Sequence, residues 1–203
     1  MVQTPAIETK NFKIELPYNL KLQVSPEQFT ALAVVNRDLR LERAATGELI
    51  VNPPTGWETG ERNGNIFGEL YIWNVKGGKP GKIFDSSTGF TLPNGAVRSP
   101  DVSWISEENW QKITEDQKGT FANICPDFVV ELRSSSDTLK SLQEKMIEYM
   151  ENGAKLGWLI NPQQRQVEVY QPGLPVEVLD NPVELFGGDV LPGFSLDLSL
   201  VWG

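Results

Sequence analysis

Two short stretches of the chain each place a Pro-Asp pair before an apolar, β-branched segment. The first is "RSPDVSWIS" at 98–106, and the second is "CPDFVVELRSSSD" at 125–137. They supply three acidic candidates, Asp101, Asp127 and Glu131. Carboxylate oxygens are the hard ligands that Mg²⁺ takes in proteins, so two of these residues could share one cation.

Distance decides which two acids can share an ion. Because Mg–O bonds are about 2.0–2.1 Å long, both carboxylates must come within about 5 Å of each other. Asp127 and Glu131 are four residues apart in one predicted strand, roughly 13 Å between Cα atoms, which is too far. We therefore interpret Asp127 as a residue that begins a strand.

Asp101 opens a separate predicted strand, and neighbouring strands lie only about 4.8 Å apart. If "DVSWI" pairs with "FVVEL", Asp101 and Glu131 face each other across the ladder. Glu131 could instead be a surface carboxylate on an edge strand, but "FVVEL" is apolar on both sides, and a buried charge needs a partner. We predict Asp101 and Glu131 as the metal-binding pair.

The absence of histidine and the net charge limit the catalytic mechanisms and binding surfaces that this chain can have. The chain of 203 residues contains no histidine, which excludes Ser-His-Asp and Cys-His triads, zinc sites built on histidine, and a histidine general base. The net charge of −9 argues against a large non-specific surface for nucleic acid. A local basic groove, or a site where metal ions screen phosphate from the protein, is still compatible with it.

Size and cysteine content indicate one soluble, intracellular domain. We expect a single domain over 1–203, with an N-terminal helix and hairpin at 1–50 and a catalytic core at 51–203. No apolar run approaches the roughly 20 residues that span a bilayer, and "MVQTPAIETKNFKIELP" lacks the apolar core of a signal peptide. The single cysteine, Cys125, excludes an internal disulfide and suits the cytoplasm.

Hydrophobic patterning predicts the elements that position the acids. "VSPEQFTALAVVNRD" is typical of a helix with Ser25 as N-cap, and "LRLERAATGELIV" of a hairpin. A helix over "ETGERNGNIFGELYIWNV", strands in "KIFDSSTGFTLP" and "VRSPDVSWIS", and a polar excursion from 107 to 124 follow. "DFVVEL" is a buried strand, "SDTLKSLQEKMIEYMENG" a helix capped by Ser, and "LGWLINP", "QVEVY" and "FSLDLSLVW" are strands. Together they predict an α/β fold with mixed strand pairing.

The longer strings carry a family resemblance. A Pro-Asp pair before a strand, with an acid two positions before a cation, resembles the PD-(D/E)xK signature. "DSSTGFTLPNGAVRSPDVSWIS" and "CPDFVVELRSSSDTLKSLQEKMIEYMENGAKLGWLINPQ" are similar to the Uma-type restriction endonuclease family of that nuclease superfamily. The resemblance implies a restriction-endonuclease-like α/β core, a four-stranded mixed β-sheet flanked by helices. It also implies Mg²⁺ or Mn²⁺ in the site and hydrolysis of phosphodiester bonds.

The chain departs from the superfamily pattern at the motif lysine, whose place is taken by Arg133. An arginine stays charged and can steady negative charge, but it cannot act as a base. In related nucleases the lysine can move to the following helix, which makes Lys145 the candidate here. It lies at the edge of the predicted inward stripe of that helix, beside Leu142 and Tyr149. A lysine whose charged end simply extends to solvent is the alternative.

The superfamily also implies an acid from the first core helix, and Glu58, Glu61 and Glu69 are available. With Ile66 at the centre of the buried stripe, Glu61 points away while Glu58 and Glu69 flank it. We choose Glu58, although a solvated glutamate at a helix start is equally explained by the helix dipole.

The resemblance implies DNA as substrate and a homodimer whose two sites address two strands. A catalytically inactive nuclease fold that binds nucleic acid or protein is the alternative, and the same metal chemistry on RNA or nucleotides is a third. Of the six tryptophans, Trp104, Trp110 and Trp158 could stack on bases, but their apolar surroundings favour the core.

Overall fold

A computed structural model describes residues 21–119 and 121–203 of the chain. The N-terminal stretch "MVQTPAIETKNFKIELP" lies outside the described residues. The helices are α1 Pro26–Val35, α2 Trp57–Lys76, α3 Glu107–Trp110, α4 Glu115–Lys118, α5 Leu139–Glu151 and α6 Ser199–Trp202. None of the described helices is both long enough and apolar enough to cross a membrane.

The strands form three sheets. They are β1 Arg40–Arg43, β2 Leu49–Asn52, β3 Gly81–Asp85, β4 Phe90–Thr91, β5 Val97–Arg98, β6 Val102–Ser106, β7 Ala122–Asn123, β8 Phe128–Leu132, β9 Leu156–Asn161, β10 Gln166–Tyr170, β11 Glu177–Asp180, β12 Glu184–Phe186 and β13 Ser195–Asp197. The central sheet has the order β11-β10-β9-β8-β6-β3, a smaller sheet the order β2-β1-β5-β4-β7, and β12 pairs with β13.

The central sheet is mixed, as expected. Strand β8 pairs with β9 in parallel and with β6 in antiparallel orientation. The register of β6 and β8 sets Val102 opposite Val130 and Trp104 opposite Phe128. The predicted pairing of "DVSWI" with "FVVEL" is therefore confirmed.

The central sheet buries both of its faces. Phe128, Val130 and Leu132 belong to a core that includes Ile66 and Leu70 of helix α2. The alternate residue Val129 belongs to a second core, which includes Met146 and Tyr149 of α5. Because side chains alternate along a strand, Glu131 shares the face of Val129 and lies toward α5.

Several predicted elements are confirmed. Helix α1 begins with a capping box in which Ser25 accepts from Gln28, as the motif predicts. The hairpin β1–β2, the long helix α2 and the buried strand β8 lie where the hydrophobic pattern placed them. The α/β fold with a mixed sheet flanked by helices is thus established.

Four details of the expected fold are wrong. The central sheet has six strands in the described part of the chain, not four. Thr138, not a serine, caps α5 by accepting from the Ser141 N–H. "KIFDSSTGFTLP" supplies two strands of different sheets, β3 and β4. The end of "FSLDLSLVW" turns into helix α6, because the chain folds back there onto α2.

Candidate active site

Strand β8 and the residue before β6 bring the two predicted metal ligands together. Continuing the β6–β8 register by one residue places Asp101 directly opposite Glu131. The N–H of Leu132 donates to Asp101 Oδ2 at 2.9 Å, which ties the Asp101 carboxylate to the end of β8. Glu131 is only 4% exposed. The two acids therefore meet at one end of the central sheet.

Helix α5 brings Lys145 to the same place. Its Nζ lies 2.8 Å from Glu131 Oε1 and 2.9 Å from Glu42 Oε1. The prediction that Lys145 reaches the sheet from the edge of the buried stripe is confirmed. Its chemical role stays a prediction.

Glu42 is a site residue that the sequence analysis missed. It lies on β1 of the smaller sheet and is 4% exposed. Besides Lys145, it contacts Arg98 Nη1 at 3.4 Å and accepts from the Ser99 N–H at 2.9 Å. Three of the four residues in "RLER" are charged, so the local pattern is that of a surface strand. Only the contact between the two sheets, which that pattern does not reveal, makes it part of the site.

Three further side chains surround the acids. The Tyr149 hydroxyl donates to Glu131 Oε1 at 3.0 Å. Asn63 Nδ2 lies 3.3 Å from Asp101 Oδ1, and Arg40 Nη2 lies 3.8 Å from the same oxygen. Arg40 and Asn63 precede β6 by about 40 to 60 residues, so the carboxylates are reached from the hairpin and from α2 as well as from the sheet.

Burial and like charges alter the protonation of the acids. Burial raises the pKa of Glu131 to about 7; the charge on Lys145 opposes this shift, while Asp101 and Glu42 add to it. Burial also raises the pKa of Asp101, against the Leu132 N–H and the charge on Lys145. A buried pair of acids with raised pKa values is what a bound cation would relieve.

For Lys145 and Glu42, the neighbouring charges outweigh the effect of burial on the pKa. Burial alone would lower the pKa of Lys145, but the attraction of Glu131 and Glu42 outweighs it and raises that pKa. Burial alone would raise the pKa of Glu42, but Lys145 and Arg98 lower it overall. Lys145 is therefore a fixed positive charge, and Glu42 a fixed negative one.

A cleft of about 310 Å³ opens at these residues. Its lining combines the acids with polar side chains, two prolines and one aromatic residue, Trp57. It includes Arg40, Glu42, Pro53, Pro54, Thr55, Trp57, Glu58, Asp101, Glu131, Ser134, Ser135, Ser136, Asp137 and Lys145. Its volume is at the lower end of the range of small-molecule sites, about 300–1,000 Å³.

Two of the predicted site residues are less closely connected to the acids. Arg133 is absent from the cleft lining, and its Nε lies 3.4 Å from the Asp137 carbonyl oxygen. Glu58 lines the cleft, but its side chain is 79% exposed and pairs with Arg62 at 3.6 Å. In the described structure Arg40, not Arg133, is the guanidinium near Asp101. The catalytic roles of Arg133 and Glu58 stay predictions.

The donor set fits a hard divalent cation with few protein ligands. Within residues 21–119 and 121–203, no three Asp, Glu or Cys side chains converge to hold an ion by themselves. Mg²⁺ commonly uses one or two carboxylates and completes its shell with water and phosphate oxygens. Asn63 Oδ1, beside Asp101, is buried without a hydrogen-bond partner in the described structure. Asp101 and Glu131 are thus suited to a magnesium or manganese ion.

Both carboxylate oxygens of Asp127, the acid of the second Pro-Asp pair, accept hydrogen bonds from the protein. It accepts from the Ser106 N–H at 2.8 Å, from Asn109 Nδ2 at 2.7 Å and from Lys155 Nζ at 2.7 Å. These contacts join the start of β8 to the end of β6 and to the residue before β9. Asp127 therefore connects three strands at the end of the sheet opposite Glu131.

The fold, with its mixed central sheet flanked by helices, is the restriction-endonuclease-like fold that the motifs predicted. A family model described as "Putative restriction endonuclease", Uma2, matches residues 26–199. The chain belongs to this family, as the motifs predicted.

A solved structure and the curated proteins complete the comparison. The chain resembles a crystal structure from Anabaena variabilis ATCC 29413 described as a putative nuclease belonging to DUF820. The TM-score is 0.66 at 23% identity, over 80% of this chain and 89% of the other. This likeness shows a shared fold. No curated protein matches the chain.

Proposed function

We propose that this protein is a Mg²⁺- or Mn²⁺-dependent endonuclease that hydrolyses phosphodiester bonds in DNA. The observation that carries the proposal is the convergence of Asp101 and Glu131 beside Lys145 in one cleft. Membership of a restriction endonuclease family supports it. Asp101 and Glu131 would hold the cation, which supplies an acidified water and neutralises phosphate charge.

The protein's own residues would prepare the substrate. Lys145 stays protonated, so it stabilises the negative charge that grows on the phosphate rather than accepting a proton. Glu42, the second carboxylate at Lys145 Nζ, would hold this lysine in place together with Glu131. The Tyr149 hydroxyl fixes one oxygen of Glu131. Arg40, at the rim beside Asp101, would contact a neighbouring phosphate as a multidentate donor.

Plasmid nicking tests the proposal. Purified protein is incubated with supercoiled plasmid in Mg²⁺, in Mn²⁺ and in EDTA. We expect nicking only with the divalent cation, and a loss of at least about 100-fold in Asp101→Asn and Glu131→Gln, since each change removes a ligand charge. Glu168→Gln is the matched control: Glu168 is a buried acid of the same sheet, bonded to Tyr170 and Gln143 outside the cleft. It should keep its activity.

The outcomes separate the candidate functions. Binding of DNA without cleavage, unchanged by both substitutions, would indicate an inactive binding module instead. Cleavage of RNA but not of plasmid would keep the metal site and change the substrate. The homodimer, which the resemblance implies, and the cytoplasmic location, which the single cysteine suggests, stay predictions; sedimentation of the purified protein tests the first of them.

A further inference from the structure

Trp57 is an exposed aromatic side chain at the mouth of the cleft. It is 92% exposed, the highest value among the large hydrophobic residues of the described structure. It lines the same cleft as Asp101, Glu131 and Lys145. Exposing an indole to water forgoes a large burial energy. Its position in the lining of the cleft that contains the acids calls for an explanation in terms of the substrate.

The other five tryptophans have partners inside the protein. Trp73 packs against Trp104, Trp158 against Phe128, and Trp110 against Phe84. The Trp202 indole donates to the Pro182 carbonyl oxygen at 3.0 Å. The Trp57 indole makes no hydrogen bond and no ring contact with any residue that the structure describes. Its flat faces are therefore free to contact a ligand.

The charges of the cleft favour stacking over ion pairing. The cations in its lining are Arg40 and Lys145, and the acids are Glu42, Glu58, Asp101, Glu131 and Asp137. Both cations already contact carboxylates. A polyanion therefore gains little from this lining by charge alone, whereas the uncharged face of a base can stack on an indole. The lining also includes the small hydroxyl side chains of Ser134, Ser135 and Ser136.

We propose that Trp57 is a stacking platform for an unpaired nucleobase next to the scissile phosphate. This inference rests on the proposed function, because it takes the acids of the cleft as the cleavage site. In a duplex, each base face is covered by the neighbouring pair, so the indole reaches a base only where the strand is unpaired. The cleft thus selects single-stranded or frayed nucleic acid over an intact duplex.

Binding without cleavage tests the inference separately from catalysis. The probes are a fluorescein-labelled 12-nucleotide DNA strand, its duplex, and the same strand with abasic sites, measured by anisotropy in EDTA. We expect Trp57→Ala to weaken single-strand binding by about 5- to 100-fold, since stacking on one aromatic ring has roughly that effect. Trp57→Phe should recover most of the loss. Duplex and abasic probes should bind weakly to the wild type and respond little to the substitution.

A matched control comes from the same helix. Tyr71 is also an exposed aromatic residue of α2, but it lies outside the cleft. Tyr71→Ala should leave single-strand binding unchanged. Because Trp57 is almost fully exposed, its substitution should also leave the melting temperature nearly unchanged, which separates lost binding from lost folding.

Three results would overturn the inference. They are no binding of the single strand by the wild type, equal binding by Trp57→Ala, or an equal loss with the abasic probe. Catalytic failure has a different signature. If Trp57 governs binding but no divalent cation produces cleavage, the stacking platform stands and the endonuclease proposal fails. If the protein cleaves and Trp57→Ala leaves KM for a single strand unchanged, the reverse holds.

Discussion

At the scale of single residues, the two Pro-Asp phrases have separate uses. Asp101 points its carboxylate at the end of β8, where Glu131 and Lys145 lie. At the other end of that strand, the Asp127 carboxylate accepts hydrogen bonds from other residues of the protein. A Pro-Asp pair therefore precedes both β6 and β8. Because these strands are antiparallel, their two aspartates lie at opposite ends of the sheet, and only Asp101 is at the cleft.

Asp127 should make the free energy of unfolding depend on pH in the acidic range. Burial alone would raise its pKa, but the hydrogen bonds from Lys155, Ser106 and Asn109 lower it below the ordinary value of 3.8. A lowered pKa in the folded state gives stability that is complete above 3.8 and disappears as the pH falls through the folded value. Asp127→Asn should therefore cost roughly 1–3 kcal/mol at neutral pH, and the difference should vanish in strong acid.

Urea denaturation of the wild type and the Asp127→Asn variant, from pH 7 down to about 3, measures this effect. Asp38→Asn is the control, because Asp38 is an exposed carboxylate and a substitution there is expected to change little. A difference between wild type and Asp127→Asn that stayed constant across the range would contradict an electrostatic origin.

At the scale of elements, the hairpin β1–β2 is a part of the candidate active site. It contributes Glu42 and Arg40, which contact Lys145 and Asp101. Sequence reasoning placed the hairpin correctly but gave it no site residue. Asp101 and Glu131 could be paired by distance because Asp101 directly precedes one strand and Glu131 lies in its neighbour in the same sheet. Glu42 could not, because its position depends on how the smaller sheet meets the larger one.

Glu42→Gln tests the hairpin's role. It leaves Arg98 with Glu148 and Lys145 with Glu131, so the protein should still fold, destabilised by roughly 1–3 kcal/mol. Because Lys145 would lose one of its two carboxylates, we expect plasmid nicking to fall by about 10-fold or more. Glu48→Gln removes only the surface pair with Lys21 on the same hairpin and should leave nicking intact. Equal activities in the two variants would show that the hairpin acts only in folding.

Glycine-to-alanine substitutions should have opposite effects on stability in helix α2 and in the central sheet. A Cβ added at Gly64 meets no atom within 4 Å, and glycine inside a helix costs roughly 0.5–1 kcal/mol relative to alanine. Gly64→Ala should therefore stabilise the protein by about that amount. A Cβ at Gly81, on β3, would lie 2.2 Å from the Ile105 carbonyl oxygen and 2.5 Å from the Trp104 ring.

Gly81→Ala should consequently lower the free energy of unfolding by about 3 kcal/mol or more, because the backbone of β6 cannot move aside cheaply. Thermal denaturation of the two variants against the wild type makes the comparison. A stabilising effect at Gly81, or a large loss at Gly64, would contradict the packing described for these elements.

At the scale of the whole molecule, the acidic charge limits how nucleic acid is held. The net charge is −9, and the cleft lining contributes Arg40 and Lys145 as its cations. Each phosphate contact on a single strand adds about 0.7 to the slope of log K against log salt. In EDTA we therefore expect a slope of about 1.5 or less in magnitude.

Titration of a single-stranded oligonucleotide at about 50 to 200 mM salt measures this slope. A value of 5 or more would locate binding on a basic surface away from the cleft. The composition anticipated this behaviour, since it already argued against a broad basic surface. It did not show that the cations of the cleft are held by carboxylates, because that depends on contacts between distant segments.

Glu42 and Lys145 are in contact although they lie 103 positions apart in the sequence. A ribosome adds about 5–20 residues per second, so synthesis of the lysine follows that of the glutamate by roughly 5 to 20 s at this rate. A polypeptide that ends before β8 carries Glu42 but neither Glu131 nor Lys145. Under the proposed function, a nascent chain therefore cannot cut nucleic acid until α5 has been synthesised, and translation products that stop before α5 lack the activity.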